Sequence, residues 1–223
     1  LSATADLLRS AIESEQSELS SKQLDTSYQI LDLILRKYSE EDVPNDDPLN
    51  TAINTVRGRC IEAIFGYALT KARQEGNEHG LSRETWQVIE NGITRELRKC
   101  KDGNYVFSAL CGNYFPQLMF LNQEWVKENV TNIFPPHHPD NFRAAVSGLA
   151  YNNAFVKEAF LILREKGVFE HALGLEGASS HVREKILQFL AVAYLNGEED
   201  VEDENCLFRK VIVTFRELDI IEL

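Results

Sequence analysis

The chain has 223 residues, 43% of them hydrophobic, which is enough to bury a core and too many for a disordered segment. Its 23 Lys and Arg stand against 35 Asp and Glu, a net charge of −12, which argues against broad capture of nucleic-acid phosphates or anionic membranes. Twelve glycines and six prolines leave long stretches free of helix breakers, and residues 140–223 hold no proline, so the expected class is all-α.

The start at Leu1 shows no basic region, apolar run and small-residue cleavage site, and the end at Asp219-Ile220-Ile221-Glu222-Leu223 carries no cap or polar tail. These ends are expected to be those of a piece of a longer chain. No run of 18 apolar residues suggests a membrane span. Cys60, Cys100, Cys111 and Cys206 form no CxxC pair and no compact framework, so they read as reduced thiols of a cytoplasmic protein.

In chain order, residues 24–38 place Leu24, Tyr28, Leu31, Ile34, Leu35 and Tyr38 at helical spacing behind Ser20 and Ser21. Residues 50–74 repeat the pattern with Val56, Cys60, Ile61, Ile64, Phe65, Ala68, Leu69 and Ala72, predicting one amphipathic helix that follows Asp46, Asp47 and Pro48 and stops near Gly76. Residues 83–99 follow Ser82 as a cap and carry Trp86, Ile89, Ile93 and Leu97. Residues 105–121 are apolar on nearly every side and therefore central, with Pro116 expected to kink the segment or divide it. Asn122 is placed to cap a short helix over 123–132.

The run 134–141, Phe-Pro-Pro-His-His-Pro-Asp-Asn, reads as a loop whose last residues cap a helix beginning near Phe142. Further helices are predicted over 142–151, 155–166, 169–173, 181–194 and 205–218, separated by Asn152-Asn153, Gly167, Gly174 to Gly177, and Gly197. About eight to ten antiparallel helices suggest an α-solenoid or a HEAT or armadillo-like stack. The expectation is a single domain over 1–223, with the loops at 40–49 and 134–141 as the best internal boundaries.

Several clusters invite a chemical reading. His137, His138 and Asp140 offer metal-ligand types, yet adjacent side chains diverge, so a solvated loop with a capping Asp140 is the better account. His79, His171 and His181 are isolated. No GxSxG, GxGxxG or phosphate-binding loop is present, and the acids at Asp42, Asp46 and Asp47 lack the calcium-loop pattern. Arg57, Arg59, Lys71 and Arg73 read as the polar side of one helix, or as a basic stripe toward a partner. Arg95, Arg98, Lys99 and Lys101 gather at a helix C-terminus, where cations suit the dipole. The acidic run 198–204 suits the start of the last helix, or receives a basic surface.

Residues 50–63, through Asn54, Val56-Arg57-Gly58 and Glu62, resemble C-terminal helical regions of large bacterial defence-type proteins, both sirtuin-like and ATPase-associated. That resemblance implies a sensing, scaffolding or oligomerising module whose catalytic domain lies elsewhere. Gly58 would allow close helix packing and Arg57 would pair with a neighbouring repeat. The expected function is therefore a non-enzymatic helical-repeat interaction module without cofactor or bound metal. Its partner would be a protein or another domain of the parent chain, bound through Arg57, Arg59, Lys71 and Arg73. The alternatives are an all-helical metal-dependent hydrolase using His137 and His138, and a nucleic-acid-binding helical repeat.

Overall fold

The computed structural model describes residues 1–14, 19–38, 42–76, 80–152, 154–175 and 179–214. Glu40, His79, Asn153, Gly177 and residues 215–223, which include the end of the predicted last helix, lie outside the described residues. Among the described residues the chain is all-α, with thirteen helices and no strand. The excess over the predicted eight to ten comes from a helix at Ser2–Glu13, which precedes the first predicted element, and from two divisions of longer apolar segments. No helix among the described residues is long and apolar enough to cross a membrane. The chain divides into two compact units, Leu1–Leu149 and Ala150–Leu223, so the proline-rich loop at 134–141 lies inside the first unit.

The first unit is arranged around α4 (Val56–Glu75), against which α1 (Ser2–Glu13), α2 (Ser21–Lys37), α3 (Pro48–Asn54), α5 (Arg83–Leu97), α6 (Tyr105–Asn113) and α7 (Phe115–Leu121) pack. Every residue of α4 from Cys60 to Ala68 is buried, the pattern of a helix enclosed by others. Tyr67 stacks on Tyr28 of α2 at 5.1 Å between ring centres, and Phe65 meets Phe107 and Tyr114 at 6.3 and 5.0 Å.

Where the sequence predicts one helix over 50–74, the structure has α3 and α4, divided at Thr55. The Thr55 backbone is extended (ψ 155°), its hydroxyl donates to the Ala52 carbonyl at 2.8 Å, and the same oxygen accepts the Gly58 N–H at 2.9 Å. A threonine that satisfies both ends in this way favours a break over a continuous ladder. Gly58 is required beside it, because a Cβ there would stand 1.8 Å from the Ala52 oxygen.

The segment 105–121 divides at Tyr114 into α6 and α7, as the proline predicts, and Pro116 sits in the first turn of α7, where a missing N–H costs little. Then α8 (Gln123–Ile133) starts behind Asn122, whose side chain accepts the Trp125 N–H at 2.9 Å. The helix α9 (Pro139–Ala150) begins three residues before the predicted start. Asp140 therefore lies in its first turn and not at the cap. Phe134 joins Phe115 and Phe142 at 5.4 and 6.5 Å, which makes the predicted boundary loop part of the core. Fully burying one such ring contributes about 2 kcal/mol. Buried Asn141 ties down the turn before α6: it donates to the Gly103 carbonyl and the Ser108 hydroxyl at 2.7 and 2.8 Å, and accepts the Asp102 N–H at 2.9 Å.

The second unit holds α10 (Lys157–Glu165), α11 (Val168–Leu173), α12 (Ser180–Leu195) and α13 (Leu207–Thr214). Phe160 and Phe169 stack at 5.2 Å, and Tyr194 of α12 stacks on Phe208 of α13 at the same distance. Glu199, fully buried, pairs with Arg164 at 2.6 Å and accepts the Leu207 N–H at 2.9 Å. One residue of the acidic run thus caps α13, as its position before that helix suggests. Asp200 and Asp203 bend the same run by accepting the N–H groups two residues on, at 2.9 and 2.8 Å.

Candidate functional site

The four basic residues proposed to face a partner do not form one stripe. At 100° per residue, Arg57 and Lys71 lie about 40° apart on one side of α4, and Arg59 and Arg73 lie on the opposite side. Arg57 ion-pairs with Glu96 and donates to the Asn104 side chain at 2.8 Å. Arg59 reaches Asp6 and Ser2 of α1, both at 2.8 Å. Lys71 pairs with Asp25 of α2 at 2.9 Å and donates to the Ser21 hydroxyl at 2.6 Å. Arg73 is exposed and donates to Thr70 at 2.8 Å. Three of the four therefore brace α4 against its neighbours.

The carboxylates opposite them carry the same role. Glu96 is 1% exposed and sits among Arg57, Arg95 at 3.0 Å and Lys99 at 2.9 Å, while Asp32 joins Arg95 at 2.8 Å and Arg36 at 2.6 Å. The network spans α2, α4 and α5, and it takes up Arg95 and Lys99 of the cation cluster at the end of α5. Glu62 meets Arg9 of α1 at 2.6 Å; burial raises its pKa and the Arg9 charge draws it back. Tyr28, packed beside Asp32, has its hydroxyl pushed up to about 12, by burial first and the Asp32 charge second.

His138 places Nδ1 3.1 Å from an Asp102 carboxylate oxygen, and His137 is exposed. Both line a cleft of about 190 Å³ with Lys101, Thr131, Asn132 and Pro136. Among the described residues no group of three or more His, Cys, Asp or Glu is placed to hold a metal ion. The hydrolase alternative accordingly lacks a ligand set there. Cys100 also reaches this cleft, with its thiol pushed up to about 12 by burial, far from the thiolate a nucleophile needs. Burial likewise raises the Cys111 thiol well above its ordinary value, and all four cysteines are buried and outside any disulfide. His171 and His181 are exposed, the latter with its ring 4.8 Å from Tyr151.

A cleft of different character opens between α5 and α8. Trp86 and Trp125, both nearly buried, meet edge to face at 5.6 Å, and the Trp125 indole N–H donates to Thr94 at 3.1 Å. Ser82 caps α5, and its N–H donates to Glu75 at the end of α4 at 2.8 Å, which fixes where α5 begins. At Gly80 the backbone has φ 97°, and a Cβ would lie 2.2 Å from the Phe120 carbonyl oxygen; Leu81 N–H then bonds Leu121 O at 3.2 Å. That contact seats the turn before α5 on the end of α7 and closes one side of the cleft.

The space measures about 620 Å³ and is open to solvent, with Arg83, Gln87 and Glu90 on the α5 wall and Gln123, Glu124 and Glu128 on the α8 wall. The side chains of Glu90, Glu124 and Glu128 make no hydrogen bond or ion pair with any described residue, unlike those of Glu62, Glu96, Asp32 and Glu199. The sequence reading treats Trp86 as a core position and does not single out the three glutamates. The available signal is faint: each tryptophan has a glutamate one helical turn further on, Glu90 after Trp86 and Glu128 after Trp125.

Compared with protein-family models, curated proteins and solved structures, the chain has no match.

Proposed function

We propose that the chain is a non-catalytic helical-repeat module that binds a protein partner or another domain of a longer parent protein in a reducing, cytoplasmic setting. The observation that carries this reading is the division of labour among its charges. Those near the core tie helices together, and the open cleft between α5 and α8 presents carboxylates with no internal partner. Such a surface suits recognition, where unsatisfied exposed charges steer and orient a partner. The repeat-like stacking draws its support from the second unit, where α10, α11, α12 and α13 each pack on the next. Four buried thiols outside any disulfide fit the reducing setting.

The resemblance of residues 50–63 to helical regions of bacterial defence-type proteins extends the proposal, giving the module a sensing or scaffolding role beside a catalytic domain. Gly58 and Arg57, which carry that resemblance, both act here as packing residues of α4. Assays of the purified chain for hydrolysis of ester, peptide and phosphate bonds and for NAD consumption test the reading. The expected result is no turnover above buffer. Turnover that one point substitution abolishes would overturn it.

A further inference from the structure

We propose that the cleft between α5 and α8 receives a Lys- or Arg-bearing segment of a partner protein, whose cations pair with Glu90, Glu124 and Glu128. This rests on the interaction-module reading and gives it a partner chemistry. Three observations point to such an occupant. The side chains of Glu90, Glu124 and Glu128 have no internal partner among the described residues, and neither does that of Arg83, the one cation among the described residues that line the cleft, so the described lining is net negative. The glutamates stand on two helices facing one space, which lets successive cations of a single segment be held from both sides. Trp86, Trp125 and Leu121 line the same cleft, each 4% exposed or less, and so offer narrow apolar edges to the methylene stems of lysine or arginine while the charged heads remain at the wet rim. The acidic balance of the whole chain, −12, adds long-range attraction for a basic partner. Gln87 and Gln123 supply amide groups on opposite walls that can meet the backbone of an extended segment.

The chain contains two tryptophans, and both stand in this cleft, so intrinsic fluorescence reports on it directly. The experiment titrates the full chain with hexa-arginine amide while following tryptophan emission, with hexa-glutamate and spermine as parallel probes. A saturable emission change with hexa-arginine alone is expected. Exposed ion pairs each change affinity by about twofold to threefold, so E90Q/E124Q/E128Q weakens binding about eightfold or more. The triple E158Q/E170Q/E202Q removes the same charge from exposed positions in the second unit and is expected to stay within about twofold of the parent. Arg83→Glu, which removes the cation of the lining, tightens binding about twofold or more.

An absent emission change overturns the proposal. So does equal weakening by both triple variants, which would mean attraction by net charge alone. Spermine binding with the affinity of hexa-arginine and the same dependence on the three glutamates would replace the protein segment with a free polyamine. None of these results touches the module reading, which fails on turnover.

Discussion

Gly112→Ala introduces a Cβ 1.8 Å from the carbonyl oxygen of Ala145, 2.8 Å from its carbon and 3.0 Å from the Leu149 nitrogen. The contact is reciprocal: a Cβ on Gly148 would stand 1.9 Å from the Ala109 oxygen and 2.8 Å from the Asn113 nitrogen, so α6 and α9 cross backbone to backbone at these two glycines. No side chain can rotate away to make room. The helices must part by about 1.5 Å to restore ordinary contact, which loosens Phe107, Leu110 and Val146 in the buried layer beside them. Overpacking of this kind costs about 3 kcal/mol or more, and the better helix propensity of alanine returns about 1 kcal/mol. The net loss of about 2 kcal/mol lowers the melting temperature by about 4 to 8 °C for a chain of this size. Thermal unfolding followed by tryptophan emission measures it, since both indoles belong to the same unit as the crossing. Once Gly112→Ala has parted the helices, adding Gly148→Ala costs less than it does alone, so the double variant falls short of the sum. Gly66→Ala is the control: its nearest neighbour is the flexible Glu13 side chain at 3.2 Å, and its stability stays level or rises slightly. A Gly112→Ala protein that melts at or above the parent temperature would refute the crossing.

Arg57→Ala removes a cation from nearly buried Glu96 and a donor from Asn104, and it is expected to cost about 2 kcal/mol because Arg95 and Lys99 remain beside the carboxylate. Arg73→Ala stays within about 0.5 kcal/mol by urea denaturation; equal losses at both positions would contradict the division between bracing and exposed cations. Glu75 supplies a pH test. Burial pushes its pKa up, yet hydrogen bonds from the Thr85 hydroxyl and the Ser82 N–H and hydroxyl outweigh that and hold it below 4.5. The unfolded state then binds more protons than the folded one between the two pKa values, so this stabilisation is present above pH 4.5 and is lost as pH falls through the depressed value. Melting curves of the parent and Glu75→Gln should separate near neutrality and converge in acid, and parallel curves at every pH would exclude the capping role.

Helix starts were legible because capping is a local event. Ser20, Ser82 and Asn122 each accept the N–H three residues on, a bond that depends on sequence neighbours alone. Pro116 announced the division of 105–121 for the same reason. Thr55 could not be read as a stop from periodicity, since the apolar pattern of 50–74 runs on through it and the break is made by a hydroxyl that bonds forward and back. The helix at Ser2–Glu13 was legible from its period, since Leu1, Ala5, Leu8 and Ile12 recur at steps of three and four, but it lies before the first predicted element at Leu24.

The partners of the charges were illegible for a different reason. Arg57 and Glu96 are 39 residues apart, Arg9 and Glu62 53 apart, and tertiary packing alone brings them together. A helical pattern places Arg57, Arg59, Lys71 and Arg73 among polar positions, and polar positions read as solvated. On a helix enclosed by six others Arg57, Arg59 and Lys71 reach neighbouring helices, where their long side chains find carboxylates, and Arg73 alone of the four stays exposed. The converse holds between α5 and α8. Trp86 reads as an apolar position of its helix and is buried, and the glutamates one turn beyond Trp86 and Trp125 acquire meaning only when two helices set them across a common space. The cations on α4 that the sequence offers for recognition are largely consumed in bracing, whereas the acids on α5 and α8 stay unpaired among the described residues and share one open cleft.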